Sequence, residues 1–311
     1  MDSQLGQPRE MYFMRALVTG ATGFIGRALL KRLDQVVVLS RNAGRARHEL
    51  PGAEVYGWDP LSGPAPAEAF RGVDAVFHLA GEPVAEGRWT AEKKRKLMAS
   101  RDQGTRNLVR GIEAASQRPP VLVSASAVGF YGSRGDEVLN ETAAAGSDFL
   151  AEVCVAWERA SHGARDLAVR VVNPRIGIVL GAAGGALPKM LTPFKLGLGG
   201  RLASGKQWMP WVHVDDLVGM LLHAVEHAQI EGPLNAVAPN PVTNREFTRV
   251  LARVLHRPAI FPVPGFGLKV LMGDFGEVLL ASQRVVPRVA EATGYGFKHP
   301  NLEEALRAIL G

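Results

Sequence analysis

The stretch RALVTGATGFIGRALLKRLDQ, residues 15–35, decides the fold. A short aliphatic run ends at Gly20. Apolar residues then recur at helical spacing, and a second aliphatic run, Val36 to Leu39, follows. Strand, glycine turn, helix, strand is the opening of a parallel α/β sheet, because parallel neighbours need a crossover helix between them. Gly20, Gly23 and Gly26 have the spacing GxxGxxG inside this unit. Gly20 permits the tight turn, Gly23 lets backbone approach a pyrophosphate, and Gly26 lets the helix pack close to the sheet. Thr22, Phe24 and Ile25 complete the loop, whose free N–H groups and helix dipole face phosphate.

The same alternation continues outward from this unit. Strands are expected at Ala75 to Leu79, Val121 to Ser124, Ala168 to Val172 and Leu234 to Val237. Helices are expected at Glu92 to Ala115, Phe149 to Ala160, Asp216 to Ala228, Asn244 to Leu255 and Asn301 to Leu310. Buried strands separated by helices predict an α/β fold with a doubly wound, Rossmann-type parallel sheet. Residues 14–182 are read as the nucleotide-binding domain. Residues 183–311 are read as a smaller α/β substrate-binding region, with part of 213–240 returning to the sheet. Arg41 to Arg71 reads as a long connection carrying a short strand at Glu54 to Gly57, and the Gly/Pro-rich texture after Gly181 reads as binding loops.

The 311 residues are 47% apolar and 21% charged, which fits a folded protein of enzyme size and excludes a disordered chain. The single cysteine, Cys154, excludes an intrachain disulfide framework and fits a reducing compartment, so a cytoplasmic location is expected. No membrane span is expected, since no stretch offers 18 uncharged apolar residues. The polar opening MDSQLGQPREMYF reads as a loose extension before Met14. The net charge of +6 is dispersed apart from Lys93 to Lys96, read as a solvated helix face, so no nucleic-acid partner is expected.

At the end of the second strand, Ser40-Arg41-Asn42 stands where selectivity for NAD usually calls for Asp or Glu. A guanidinium grips a 2′-phosphate and an acidic side chain repels it, so the expected cofactor is NADP(H).

The chain resembles the extended short-chain dehydrogenase/reductase superfamily in VTGATGFIG, HLAG (78–81), GTRNLV (104–109), SAS (124–126) and HVDD (213–216). More closely, AGEPV, RWT, SASAVGFYG, DFLAEVCVAWE, RIGIVLG, LTPFKLGLGG, PWVHVDDL and LNAVAP are similar to its atypical, epimerase-like family of sugar nucleotide epimerase type, in the NAD-dependent epimerase/dehydratase superfamily. The resemblance runs from Met14 to the C-terminus. It implies that Leu79, Ala80, Gly81 and Ser124 meet the dinucleotide and that a small, nucleotide-linked sugar is the substrate. It also raises the expectation of a homodimer.

Members of the superfamily normally use Tyr-x-x-x-Lys on one helix for proton transfer. None of the four tyrosines here, Tyr12, Tyr56, Tyr131 and Tyr295, has a lysine four residues later. Alignment on Glu158 puts Leu150 and Cys154 at those two positions. Two functions therefore stand: an NADP-dependent oxidoreductase or epimerase with another proton path, and a catalytically weak NADPH-binding sensor or regulatory module.

Tyr131, just past a strand's carboxyl end, is the candidate replacement proton donor, or else a packed anchor for its loop. Ser126 either bonds a substrate carbonyl or satisfies backbone. Glu82, Lys189, Gln207 and Trp208 are candidate substrate contacts, against the alternatives of a solvated surface or burial in the domain junction. Cys154 and His78 read as packed core residues. His213, Asp215 and Asp216 read as helix capping and inter-domain hydrogen bonding, with Asp215 as the N-cap and no metal.

Overall fold

The computed structural model describes residues 11–266 and 273–311. In chain order it contains β1 (Tyr12–Thr19), α1 (Phe24–Leu30), β2 (Leu33–Ser40), α2 (Ala43–Glu49), β3 (Glu54–Gly57), β4 (Ala75–His78), α3 (Ala91–Ala114), β5 (Val121–Ser124), β6 (Ser126–Ala127) and β7 (Val138–Leu139). There follow α4 (Phe149–His162), β8 (Arg170–Ile176), β9 (Ile178–Gly181), β10 (Gly184–Gly185), α5 (Leu187–Lys195), β11 (Trp208–Met209), β12 (Trp211–His213), α6 (Val214–Glu226), β13 (Gly232–Ala236), β14 (Val242–Thr243) and α7 (Asn244–Val254). Shorter elements lie beyond, ending in the helix Leu302–Leu310.

The main sheet has the order β13-β8-β5-β4-β1-β2-β3, with β6 also pairing to β8, and its pairings are parallel. This is the doubly wound order, in which the chain leaves β1 in both directions and opens a crevice at the carboxyl edge. The strands carry apolar side chains on both faces because both faces are covered. One face packs Ala16, Val18, Phe77 and Val123 with residues of α1 and α6; the other packs Leu17, Val76 and Leu122 with Leu108 and Ile112 of α3. A separate core joins α5, α7 and the last helix through Leu187, Phe194, Trp211, Phe247 and Leu306.

The architecture is the expected one, but several boundaries move. The expected loose segment before Met14 lies outside the described residues for 1–10, whereas Tyr12 and Phe13 already belong to β1. The helix after the glycine turn stops at Leu30, and β2 starts at Leu33, because Leu33 and Val37 are needed in the sheet core. The 41–71 connection contains the helix α2, capped by Asn42 through a 3.0 Å bond from the Arg45 amide, and the 3-10 turn Ala67–Phe70. The strand expected from Ala168 is β8, which begins at Arg170 and runs on to Ile176; Ala168 itself has a left-handed φ of 61°. The Gly/Pro-rich stretch after Gly181 includes α5, with a proline in its first turn and Pro193 inside it. Among the described residues, no helix is long and apolar enough to cross a membrane.

Candidate functional site

Parallel register brings the ends of β1, β4 and β5 to one edge: Thr19 pairs with His78, and His78 with Ser124. The glycine turn leaves β1 there. Gly20 has a φ of +71°, and a Cβ on it would lie 2.9 Å from the Leu79 carbonyl carbon. A Cβ on Gly26 would lie 2.3 Å from the Gly20 oxygen, so the first turn of α1 can sit on the loop only if residue 26 has no side chain. The Gly23 amide closes the turn onto the Gly20 oxygen at 3.0 Å, and Gly23 is the helix N-cap, with no acidic residue in the first turn. Thr22 and Gly23 are exposed, so this backbone is open to a ligand. The Phe24 ring turns away into a slot walled by Gly181 and Gly184, where a Cβ would meet it at 2.5 and 2.7 Å. Ile25 is half-buried against the core.

At the end of β2, the Ser40 hydroxyl accepts the Asn42 amide at 3.2 Å, a local turn that leaves the Arg41 side chain exposed at the sheet edge. Asp59 is held below the usual carboxylate range by the Leu61 amide, then the Ser62 hydroxyl, with the Arg41 charge contributing. At the end of β4, Leu79 and Ala80 are half-buried and Gly81 is exposed. The Ala80 amide donates to the Thr19 hydroxyl at 3.1 Å, which fixes this strand end against β1. His78 is sealed between the Thr19 and Thr105 hydroxyls at 2.8 and 3.0 Å, and burial, with help from the Arg101 charge, pushes its pKa down to about 4. It is a core histidine. The Ser124 hydroxyl is fully buried at the β5 end and meets no hydrogen-bond partner among the described residues. A buried hydroxyl without a partner at the carboxyl edge of such a sheet is an exception that calls for an explanation.

Ser126 and Tyr131, two residues and seven residues beyond Ser124, lie in a different environment. The Ser126 hydroxyl donates to Glu158 at 2.7 Å, and Arg175 grips the same carboxylate with two bonds of 2.8 and 2.9 Å. A third arm of Arg175 donates to the Tyr131 hydroxyl at 2.9 Å, and that hydroxyl donates to Asn235 Oδ1 at 2.6 Å. The Asn235 amide in turn donates to Glu141. Tyr131 is 0% exposed and burial raises its pKa, so its proton is held inside the network.

The candidate substrate contacts are each bound to a different partner. Glu82, half-buried beside Gly81, is paired with Lys93 Nζ at 2.7 Å. Lys189 on α5 is exposed and donates to the Ala85 carbonyl at 3.2 Å, bridging the loop after β4. Gln207 is buried and donates to the Leu202 carbonyl, within its own loop. Trp208 donates to Asp136 at 2.8 Å beneath the Arg284 guanidinium. The Lys93–Lys96 run is more than a solvated face: Lys93 reaches Glu82 and Lys94 reaches Asp274, while Lys96 pairs within the helix to Glu92.

Sequence reading passed over two residues at this edge. Arg101 on α3 is 8% exposed, with its guanidinium against Gly81 and 4.8 Å from the Trp157 ring. Its signal was present: Leu97, Arg101, Thr105 and Leu108 share one helical stripe, and an arginine in a core stripe needs a reason. Trp89 stands on the loop after β4 against Phe149 and Phe275, with ring centroids 5.6 and 5.9 Å away. Cys154 is buried, and burial pushes its thiol up to about 12.

His213, Asp215 and His299 bring ligand-type atoms within 4.8 Å of one another. However, His213 Nδ1 already accepts the Asp215 amide at 3.0 Å, which makes His213, not Asp215, the N-cap of α6. Asp216 does tie distant segments, accepting the Lys298 and His299 amides at 2.7 and 2.8 Å.

Residues 16–236 match the model of the NAD dependent epimerase/dehydratase family, and residues 263–309 match a domain of unknown function, DUF1731. The chain is 42% identical over 303 residues to the chloroplastic epimerase family protein SDR39U1 homolog of Arabidopsis thaliana, covering 96% of this chain and 87% of that one. Among solved structures it is similar to human epimerase family protein SDR39U1 (isoform 2), crystallised with NADPH, with a TM-score of 0.85 and 36% identity over 95% of this chain and 99% of that one. A nucleoside-diphosphate sugar epimerase from Corynebacterium glutamicum has a TM-score of 0.75 and 35% identity, over 96% of this chain and 59% of the other.

Proposed function

The chain belongs to the NAD dependent epimerase/dehydratase family, and we propose that it binds NADP(H) at the carboxyl edge of its sheet and acts on a small, nucleotide-linked sugar. The observation that carries the cofactor reading is the buried Ser124 hydroxyl, without a partner among the described residues, beside a glycine cradle that any Cβ at Gly20 or Gly26 would fill. The residues fit the group. The backbone from Gly20 to Gly26 would hold the pyrophosphate, Ser40 and Arg41 the 2′-phosphate, and Leu79, Ala80, Gly81 and Ser124 the nicotinamide half. Arg41 favours NADP(H), since the run that closes β2, Ser40-Arg41-Asn42, offers a guanidinium and no acidic side chain of its own.

When bound, the nicotinamide supplies hydride uptake and return. The protein's own task is to orient the substrate and move a proton. Tyr131 and Ser126 are assigned to positioning: their hydroxyls are spent on Arg175, Asn235 and Glu158, and an immobilised, buried phenol makes a poor proton donor. Glu82 and its partner Lys93 are the half-buried titratable pair beside Gly81 and are the proposed polar contacts for substrate. The same sealed tyrosine favours a second reading, a catalytically weak NADPH-binding module that regulates through its liganded state.

Fluorescence titration with NADPH and NADH tests the cofactor assignment. NADPH is expected to bind more tightly, and Arg41→Ala to weaken NADPH by about tenfold while leaving NADH unchanged. Equal affinities in the native chain would overturn the choice of NADP(H). Turnover of a nucleotide-sugar panel by the NADPH-loaded protein separates the enzyme from the sensor.

A further inference from the structure

A buried cation stands at the site, and among the described residues no carboxylate pairs with it directly, though the Glu82 charge acts on it from farther off. Arg101 is nine-tenths buried, yet among the described residues no acidic side chain forms an ion pair with it. Only Nη1 is used, donating to the Glu82 carbonyl at 3.1 Å, the Leu97 carbonyl at 3.3 Å and the Ser100 hydroxyl at 3.4 Å. Nε and Nη2 meet no acceptor among the described residues, and neither is cut off from solvent. The guanidinium is pinned in place, with Trp157 on one side and Gly81 on the other, where a Cβ would stand 3.3–3.5 Å from its carbon and two terminal nitrogens. Arg175, also buried, is by contrast gripped by Glu158 through two bonds.

Desolvating a charge that has acceptors for only one of its three nitrogens is costly, and acceptors brought by a ligand to the other two would offset that cost. Position says what. Alignment on Glu158 sets Cys154 of α4 at the position of the superfamily's lysine, and a Cβ on Gly129 would lie 3.8 Å from its sulfur. The same sulfur lies within the field of Arg101, which opposes the burial that keeps the thiol protonated. The lysine's charge is therefore missing from α4 while a charge from α3 occupies its surroundings.

We infer that Arg101 replaces the missing lysine in space, presenting from α3 a cation whose free N–H groups hold acceptor oxygens of the dinucleotide bound at Gly81. This rests on the nucleotide reading above. Charge-assisted hydrogen bonds are about twice as strong as neutral ones, so the guanidinium matters to binding through its charge as well as its shape.

The test is a fluorescence titration of NADPH into the full chain and three variants. Arg101→Gln keeps donors for the Glu82 and Leu97 carbonyls but removes the charge; it is expected to weaken NADPH by at least about tenfold with an unchanged circular dichroism spectrum. Adding Cys154→Lys returns a cation from α4 and is expected to restore affinity to within about threefold. Should that double variant fail to fold, Arg101→Lys takes its place, with affinity expected to exceed that of Arg101→Gln. Affinity within twofold of the native chain for Arg101→Gln overturns the inference. So does a folded charge-restoring variant that binds no better than Arg101→Gln. A native chain that fails to bind NADPH would instead remove the nucleotide reading beneath it.

Discussion

Two polar clusters adjoin each other along the carboxyl edge of the sheet, and they differ in whether their bonds are complete. Around Arg175, the groups of Glu158, Ser126, Tyr131, Asn235 and Glu141 pair with one another across β6, α4, β8 and β13. Around the glycine turn, among the described residues, Ser124 has no partner and Arg101 uses one of its three nitrogens, while Thr22, Arg41 and Gly81 are exposed. The first cluster has the residue types usually sought in a catalytic site. The second has unmet bonds, which the proposed nucleotide would fill. Residue type alone would choose the first cluster, whereas unsatisfied polar groups favour the second as the place of the proposed nucleotide.

The largest effect that could break this comparison lies in the closed cluster. Glu158→Ala leaves the Arg175 guanidinium buried without its carboxylate and is expected to cost about 3–5 kcal/mol in urea unfolding. A loss below 1 kcal/mol would mean that the cluster is not a structural unit.

Next comes acid. His78, buried and neutral, has its pKa pushed down to about 4. Its unfolded form takes up a proton near pH 6.5, so below that pH the unfolded chain binds more protons than the folded one. Stability from this group is complete above pH 6.5 and falls towards pH 4, by about 3 kcal/mol in all. His213, also pushed down to about 4 chiefly by burial, acts in the same direction. Unfolding free energies that stay flat from pH 7 to 4.5 would show that these histidines are not sealed.

The smallest effects are the sharpest. Tyr131→Phe removes two buried hydrogen bonds and is expected to lower stability by about 1–3 kcal/mol while leaving NADPH affinity unchanged. Ser124→Ala removes a hydroxyl that has no partner, so it is expected to leave stability within about 0.5 kcal/mol and to weaken NADPH. Reversal of that pattern would exchange the roles of the two clusters.

The sheet was legible because its strands are buried on both faces and read as aliphatic runs. The glycine turn was legible because its requirement for missing side chains is local. Short α2 escaped notice, since among its residues only Ala46 is buried and a seven-residue helix has too few turns for a period to show. The assignment of Tyr131 and Ser126 depended on partners 44, 104 and 32 positions away, which local pattern cannot bring together. Arg101 was hidden in a helix whose opening turns are rich in lysine, so its burial was masked by its neighbours' composition.

Hydrogen–deuterium exchange of the full chain with and without NADPH tests the central claim most directly. Protection is expected to appear at residues 20–26, 40–42, 79–81 and at Ser124, with little change at Glu141, Tyr131 and Asn235. Protection confined to the closed cluster, or none at the glycine turn with NADPH at saturation, would contradict it.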